Sequence, residues 1–318
     1  MKVSVCVTVF NEGESIGPLI DSLLSQTKKP DEIVIVDGGS SDKTVEIIRH
    51  YQKRDKRIRL IIEKGSIAHG RNVSIDVAKH TIVALADAGC VAKNDWLEKI
   101  TEPFKHQSIG LVAGFYHMFA KTPLQQAINV FHGVPPERFD PTSFLPSARS
   151  VAFKKEVWEK IGGFSEKLNK AGEDTLFFYE AIKSGVKVAR VKNAIVYWKE
   201  TANLTFKDSM NKFYQYAKGD AQSGIWWHPE KRLASHNLKI SSIFVRYFFG
   251  LIFLFVPLFN TGLLIYWLTG LLFYLYWSIW KWRDIVKVWK ARIWLPVIQI
   301  SSDVVIMTGF IDGLKSKI

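Results

Sequence analysis

Residues 240–280 limit what this chain can fold into more than any other stretch. Thirty of the 41 are hydrophobic, none is acidic, and Arg246 is the only charge. Two runs, 241–259 and 261–280, joined by Asn260, are each close to the ~20 residues that cross a hydrocarbon core of about 30 Å. Arg246 lies near the start of the first run, where a long side chain can carry its charge to the interface. A third segment, 293–314, is also long enough, although it contains Gln299, Ser301, Ser302 and Asp303. Polar groups at membrane depth face a partner helix or a substrate path instead of lipid. Three spans are therefore expected in preference to two. Between the second and third, residues 281–292 carry five basic side chains and one aspartate, the mark of a cytosolic membrane face. Trp267, Trp277, Trp280, Trp282, Trp289 and Trp294 put six of the eleven tryptophans in the last 52 residues, as an interfacial belt would.

The mean hydropathy of the whole chain is close to zero because it averages this apolar module with a polar one. The net charge of +13 divides as +5 over residues 240–318, from eight Lys/Arg against three Asp/Glu, and +8 over the remainder. Such a balance suits a solvated surface, an anionic substrate or an anionic membrane face. No nucleic-acid motif or basic patch interleaved with aromatics accompanies it, which sets nucleic acid aside. Cys6 and Cys90 stand 84 residues apart and form no CxxC or Cys/His cluster, so neither a disulfide framework nor a zinc site is indicated. The opening MKVSVCVTVF has one lysine and no small-residue cleavage site, and reads as a strand instead of a signal peptide. The polar domain is accordingly expected in the cytosol.

Over the first hundred residues the pattern alternates. Runs at 3–10, 32–36, 58–62 and 81–86 read as strands, and 15–26, 43–51 and 71–79 as helices. That alternation predicts an α/β fold with a mostly parallel sheet, whose ligands bind beyond the carboxyl ends of the strands. The residues at those ends are Phe10-Asn11-Glu12, Asp37 and Asp87. A long loop is expected over 131–146, then a helix at 154–161, a helix at 175–184 and a strand at 186–198. Residues 204–218 form an amphipathic helix, suited equally to a bilayer interface or to packing on a soluble core.

Several residues carry chemistry, each with a plainer alternative. Asp37 precedes two glycines that let the backbone approach a ligand, and its carboxylate can accept from a nucleobase edge. The same residues also suit a glycine turn with Ser40 or Ser41 capping the next helix. Asp87 can bind a hard cation or a ribose hydroxyl, or simply close a turn. Arg71 can grip a diphosphate bidentately, or make a surface ion pair. Glu173-Asp174 at a helix start are favourable charges there, or a general base for a hydroxyl. No GxGxxG or GxxxxGK[ST] follows the first strand, and the acids of Asn11-Glu12-Gly13-Glu14 would repel a pyrophosphate. Dinucleotide oxidoreductases and P-loop enzymes are thereby set aside.

Taken in order, Thr8-Val9-Phe10-Asn11-Glu12, Asp37-Gly38-Gly39-Ser40-Ser41-Asp42-Lys43-Thr44, Arg71-Asn72, Asp87-Ala88-Gly89, Gly162-Gly163-Phe164 and Gly172-Glu173-Asp174 resemble the family-2 glycosyltransferases over about residues 1–220. The resemblance implies a GT-A nucleotide-sugar-binding domain followed by an α-helical transmembrane module. The division expected is a catalytic domain at 1–203, an interfacial helix and linker at 204–239, and the membrane module at 240–318. It further implies an inverting hexosyltransferase. By position, Thr8, Phe10, Glu12, Asp37 and Gly38 would hold the nucleoside, Arg71 and Asp87 would serve the diphosphate side, and Asp174, with Glu173 beside it, would be the base.

Beyond residue 200 the chain resembles the membrane-bound, cellulose-synthase-like branch, in which a Q-x-x-R-W motif underlies the active site. Here Gln215-Tyr216-Ala217-Lys218-Gly219 has Lys for Arg and Gly for Trp, which argues for a single, non-processive transfer. Gln215, Lys218 and Arg149 are the implied contacts to acceptor or diphosphate. The whole is similar to small archaeal membrane mannosyltransferases acting on polyprenyl phosphates. That similarity implies transfer of mannose from GDP-mannose to a polyprenyl- or dolichyl-phosphate-type lipid or lipid-linked glycan at the cytosolic membrane face, in glycan or N-glycan biosynthesis. A UDP-sugar is the alternative donor, and a non-catalytic membrane scaffold is the rival from another class. The family's D-x-D metal motif reads Asp87-Ala88-Gly89 and lacks its second carboxylate. A divalent cation, Mn or Mg, held by Asp87, the diphosphate and water fits this, since Mg²⁺ often uses few protein carboxylates. The metal-independent alternative has Arg71 and Lys218 neutralising the leaving group.

Overall fold

Four strands rich in β-branched residues build the first half of a sheet. They are β1 (Val3–Val9), β2 (Glu32–Asp37), β3 (Ile58–Ile62) and β4 (Ile82–Leu85), paired in parallel in the order β3-β2-β1-β4. All of β2 and β4, and nearly all of β1, is buried, which is why these strands read as continuous apolar runs. The crossovers are α1 (Ile16–Leu24), α2 (Thr44–Arg54) and α3 (Ile67–Asp76). The helix α3 begins four residues before Arg71 because Ser66 caps it, its hydroxyl accepting from His69 N at 3.2 Å. The computed structural model describes residues 1–168, 170–230, 236–255, 262 and 264–316.

The second half of the sheet is mixed. It contains β5 (Cys90–Ala92), β6 (Ile109–Met118), β7 (Val151–Lys154) and β8 (Lys187–Trp198), giving the order β3-β2-β1-β4-β7-β6-β8-β5. Here β7 is antiparallel to both β4 and β6, β8 is parallel to β6, and β5 is antiparallel to β8. The helix α4 (Trp96–Thr101) follows β5, α5 (Pro123–His132) follows β6, and α6 (Lys155–Ile161) and α7 (Glu173–Lys183) lie between β7 and β8. Phe153, Phe164, Phe177 and Phe178 form the aromatic centre of one core, with Phe164 stacked on Phe177 at 4.3 Å between centroids. That aromatic cluster fixes where α7 begins, and hence where its acidic first turn stands.

The described residues divide into two compact units, one holding the sheet (Met1–Met118 and Phe139–Glu200) and the other helical (Phe119–Arg138, Thr201–His228 and the residues that follow 235). Residues 119–138, inside the stretch expected to be catalytic, thus belong to the helical unit, and α5 occupies the start of the expected long loop at 131–146. The other helices of this unit are α8 (Phe206–Ser223), α9 (His236–Phe255), α10 (Leu264–Trp280), α11 (Trp289–Arg292) and α12 (Trp294–Lys315).

The apolar stripe of α8 is covered by protein: Met210 and Phe213 pack in one cluster with Ala127 and Ile128 of α5 and with Leu295 and Ile298 of α12. Gly313 lets the two backbones touch, since a Cβ there would stand 2.5 Å from the Lys218 carbonyl oxygen and 2.7 Å from Ala221 Cβ. Tyr214 donates its hydroxyl to Asp312 Oδ2 at 2.7 Å beside this contact. Asp303, buried on α12, accepts from Arg246 of α9 at 2.7 Å, from Tyr274 of α10 at 2.5 Å and from Gln299 at 2.8 Å. Asp303 of the expected third span therefore faces partner helices. Among the described residues, one helical stretch, Trp289–Lys315 with 27 residues, is long and apolar enough to cross a bilayer, and Leu264–Trp280 is a shorter apolar helix. The joint expected at Asn260, with the neighbouring ends of the first two runs at 256–261, lies outside the described residues, as does 231–235 of the linker.

Candidate active site

The carboxyl ends of β1 and β2 are stitched together by backbone and short polar side chains. Asn11 takes the left-handed conformation at φ 55°. Its carboxamide oxygen accepts from Ser41 N at 2.9 Å, and its own N–H donates to Ser40 Oγ at 2.8 Å. Asp42 accepts from Gly13 N at 2.9 Å and from Thr44 N at 3.0 Å, while Glu12 N donates to Thr44 Oγ1 at 2.7 Å. Ser40 and Ser41 are therefore loop ties, not caps of α2, whose N-terminal residue Lys43 makes no side-chain cap. The carboxylate of Glu12 takes the Ser15 hydroxyl at the entry to α1.

Asp37 ends β2 fully buried. One oxygen, Oδ2, accepts from Gly39 N at 3.0 Å and Ser40 N at 2.9 Å, while Oδ1 is buried without a hydrogen-bond partner among the described residues. A buried carboxylate oxygen left open is costly, and an N–H donor from a ligand would satisfy it. Gly39 adopts φ +99° above the Lys64 side chain, and Gly38 N donates to Val9 O at 2.9 Å, so the chain turns tightly here. Phe10 is 61% exposed at the rim, a large apolar ring offered to solvent or to a stacking partner. Thr8 packs its methyl against α3, where a Cβ on Gly70 would come within 3.0 Å of it.

Beside this group lies a buried ionic cluster. Arg71 of α3 donates through one terminal nitrogen to Asp87 Oδ1 at 3.0 Å and through the other to Glu173 Oε1 on α7. Both Arg71 and Glu173 are 4% exposed, so the ion pair is not the surface contact that the sequence alone left open. Burial opposes charge on Arg71, but Asp87, Glu173 and Asp174 overcome it and hold the guanidinium protonated, its pKa raised. Burial, helped by Asp174, pushes the Glu173 carboxyl up against the pull of Arg71. Its second oxygen is buried without a partner among the described residues.

Glu173 and Asp174 thus separate in role. Glu173 points inward onto Arg71. Asp174 is only partly buried, and it accepts from Thr175 N at 2.8 Å and Ala148 N at 3.2 Å. Gly172, left-handed at φ 93°, starts α7 without a side-chain cap, and the two acids that follow it are consecutive helix positions that face different ways. Next to Ala148, the Arg149 guanidinium lies 3.8 Å from the Trp198 ring centroid and 5.3 Å from that of Tyr116. Gln215 and Lys218 are carried by α8 of the helical unit, both partly exposed. The fold thus brings Arg71, Asp87, Glu173 and Asp174 together, and gathers Thr8, Phe10, Glu12, Asp37 and Gly38 at the neighbouring strand ends.

Sequence reasoning missed Glu200. The antiparallel pair β5–β8 sets Cys90 opposite Trp198, and Lys199 N donates to Gly89 O at 3.1 Å, so Glu200 comes to the turn Asp87–Cys90. No local pattern announces a contact between positions more than a hundred residues apart. Among the described residues no group of three or more His, Cys, Asp and Glu is arranged to hold a metal ion.

The sequence matches Glycosyl transferase family 2 over residues 4–167 and Glycosyl transferase family group 2 over residues 131–281. The glycosyltransferase EpsJ of Bacillus subtilis is 25% identical over 230 residues, 67% of this chain and 66% of that protein. The glycosyltransferase AglE of Haloferax volcanii is 34% identical over 117 residues, 35% of this chain and 38% of its own length. The chain therefore spans less than two thirds of the length of either relative. Among solved structures, the mannosyltransferase PcManGT from Pyrobaculum calidifontis, in complex with GDP-Man and Mn²⁺, superposes with a TM-score of 0.57 at 18% identity, over 95% of this chain and 86% of that one. At that identity the likeness establishes the fold: an α/β sheet domain of the GT-A type.

Proposed function

This chain belongs to glycosyl transferase family 2 and is a glycosyltransferase, and from that premise we propose that it moves a hexose, with inversion, from a nucleoside-diphosphate sugar to a lipid-linked acceptor. The observation that carries this reading is the convergence of Asp87, Arg71 and Glu173 in one buried ionic cluster, with the accessible carboxylate of Asp174 at the next position. The nucleoside is held at the ends of β1 and β2. Asp37 Oδ1 takes a base N–H there, and Phe10 covers the ring. GDP-mannose is the donor favoured, in keeping with the GDP-Man bound by the Pyrobaculum enzyme.

In the reaction, an acceptor oxygen attacks the anomeric carbon as the bond from that carbon to the diphosphate breaks. Asp174 takes the proton when the acceptor is a hydroxyl, and the nucleoside diphosphate leaves with the bonding electrons. An acceptor that is already a phosphate monoester needs little help from the base. Glu173 is a positioning residue: it fixes Arg71, and Arg71 fixes Asp87. A Mn²⁺ or Mg²⁺ ion held by Asp87, with phosphate oxygens and water completing its shell, would neutralise the leaving diphosphate.

The acceptor is a polyprenyl-phosphate-type lipid or lipid-linked glycan at the cytosolic face. Support comes from the helical unit, which exposes Phe248, Phe249, Leu251 and Ile252 on α9 and Ile265, Tyr266, Leu272 and Phe273 on α10. Apolar area of that extent is stable against lipid, not water. The basic segment 281–292 suits the anionic leaflet. Thermal shift of the full-length protein with GDP-, UDP- and dTDP-sugars, with and without Mn²⁺, tests the donor: the largest stabilisation is expected from GDP-mannose, and a larger one from a UDP-sugar replaces it with the second donor.

A further inference from the structure

The helix α12 is long and apolar enough to cross a bilayer, but its packing ties it to a helix that is not. Along three successive turns α8 and α12 run side by side in the same direction. A Cβ on Gly309 would strike the Tyr214 carbonyl, one on Gly313 would strike the Lys218 carbonyl, and Gln222 donates to Ser316 Oγ at 3.0 Å. The bond from Tyr214 to Asp312 adds a tie within the same stretch. Just past α8, Trp226 meets Phe310 edge to face, with 6.1 Å between centroids.

A bilayer core excludes α8. It carries Lys207, Asp208, Lys212, Lys218 and Asp220 within 18 residues, and charged side chains at membrane depth are costly. The chain also holds it to one side. Residues 201–205 join Glu200 to α8, and so short a segment reaches roughly 20 Å, less than a core of about 30 Å. The second half of α12, bound along α8, stays at the same level. The helix α9 starts there as well: Asn237 donates to Asp220 O at 2.6 Å, and Ile240 packs with Ala217, Ala221 and Phe310.

The face of α12 turned away from α8 is apolar and uncovered. Val297, Ile300, Val304, Ile311 and Leu314 recur at helical spacing and are 37–46% exposed. Leu295, Ile298, Ser302, Gly309 and Gly313 on the other side are buried. One apolar stripe backed by protein is the pattern of a helix lying in an interface. Exposed Lys287, Trp289 and Lys290 lead into it, a basic and aromatic flank that suits anionic head groups.

We infer that α12 lies in the plane of the membrane and does not cross it. Its stripe enters the leaflet on the side where α8 lies, a surface of anionic phospholipid. The helices α9 and α10 are then the crossing pair, so the chain makes two crossings where its sequence suggests three. Ser316 consequently lies on the same side of the membrane as the sheet unit.

Single cysteines introduced at exposed positions test this in the full-length protein, against wild type, whose Cys6 and Cys90 are buried. Lys53→Cys, on α2, and Ser316→Cys are treated with a membrane-impermeant maleimide in spheroplasts and in inverted vesicles of the expression host. Both are expected to label from the same face; labelling from opposite faces overturns the inference. Spin labels at Val297→Cys, Val304→Cys and Ile311→Cys, in vesicles of phosphatidylcholine and phosphatidylglycerol, read the stripe by collision with oxygen and with a water-soluble nickel chelate. All three are expected at one shared depth of about 5–10 Å. A label at 304 lying about 10 Å deeper than the other two is the signature of a span, and labels open to the nickel chelate as in water show a face that lipid does not cover; either contradicts the inference. None of these outcomes bears on the sugar donor.

Discussion

Arg71 and Asp87, on α3 and at the end of β4, are joined at 3.0 Å, and the same guanidinium is closed on its other side by Glu173 of α7. Three elements separated by up to a hundred residues thus meet on one buried cation. The arrangement fixes Asp87 against a rigid background, which is what a ligand-binding carboxylate requires.

Removing Arg71 alone leaves Glu173 buried opposite no cation. Arg71→Ala is therefore expected to destabilise the protein by about 3–5 kcal/mol, while Arg71→Ala/Glu173→Ala costs clearly less than the sum of the two single changes. Melting temperatures of the four proteins check this. A strictly additive double variant contradicts the coupling.

Asp174 and Glu173 are adjacent, yet their environments predict opposite consequences. Asp174→Asn keeps an oxygen for only one of the two backbone N–H groups that its carboxylate takes, and is expected to lower kcat on a hydroxyl acceptor by about 10²–10⁴-fold with only a small fall in melting temperature. Glu173→Gln is expected to lower the melting temperature and raise KM for the donor. Steady-state kinetics with both variants distinguishes a base from a positioning residue.

Glu32 gives the fold a defined acid sensitivity. Burial pushes its carboxyl up, but bonds from Ser4 at 2.6 Å, from Lys79 N and from Arg59 at 3.2 Å outweigh burial and hold it below the ordinary glutamate value. A carboxyl depressed in the folded state contributes stability above its unfolded pKa, about 4.3, and loses it as pH falls through the lower folded value. Glu32→Gln should melt below wild type at neutral pH, and the gap should close below about pH 4.3. A gap that stays constant with pH assigns the effect to packing.

Gly313 and Gly250 form an internal comparison in the helical unit. A Cβ at 313 meets the α8 backbone at 2.5 Å, whereas one at 250 meets nothing within 4 Å. Gly313→Ala is expected to cost about 1–3 kcal/mol, and Gly250→Ala to be neutral or to stabilise by up to about 1 kcal/mol. Thermal unfolding in detergent measures both.

The first 87 residues are largely legible as sequence, because β1, β2 and β4 are buried on both faces and alternate with capped or amphipathic helices. Legibility fails at the mixed half of the sheet. The strand β6, IGLVAGFYHM, has two glycines and register shifts at Ile109/Leu111 and Ala113/Phe115, so no clean period marks it. The helix α5 is amphipathic but carries Pro123 at its start and runs into the residues that suggested a loop. At the site, Asp37, Arg71, Asp87 and Asp174 stand out because short motifs flank them. Glu200 does not, since only the pairing of β5 with β8 brings it to Gly89. The alternatives left open for Ser40, Ser41 and Arg71 could be separated only by tertiary contacts: Asn11 for the serines, Glu173 and Asp87 for the arginine.

Transfer of label from GDP-[¹⁴C]mannose to polyprenyl phosphate by the purified full-length protein, counted in the lipid phase against hydrolysis to free mannose, tests the central assignment most directly. Labelled lipid should accumulate with stoichiometric release of GDP, and soluble sugars should be poor acceptors. Label appearing only as free mannose, or transfer to soluble sugars at the same rate, contradicts a lipid-directed glycosyltransferase.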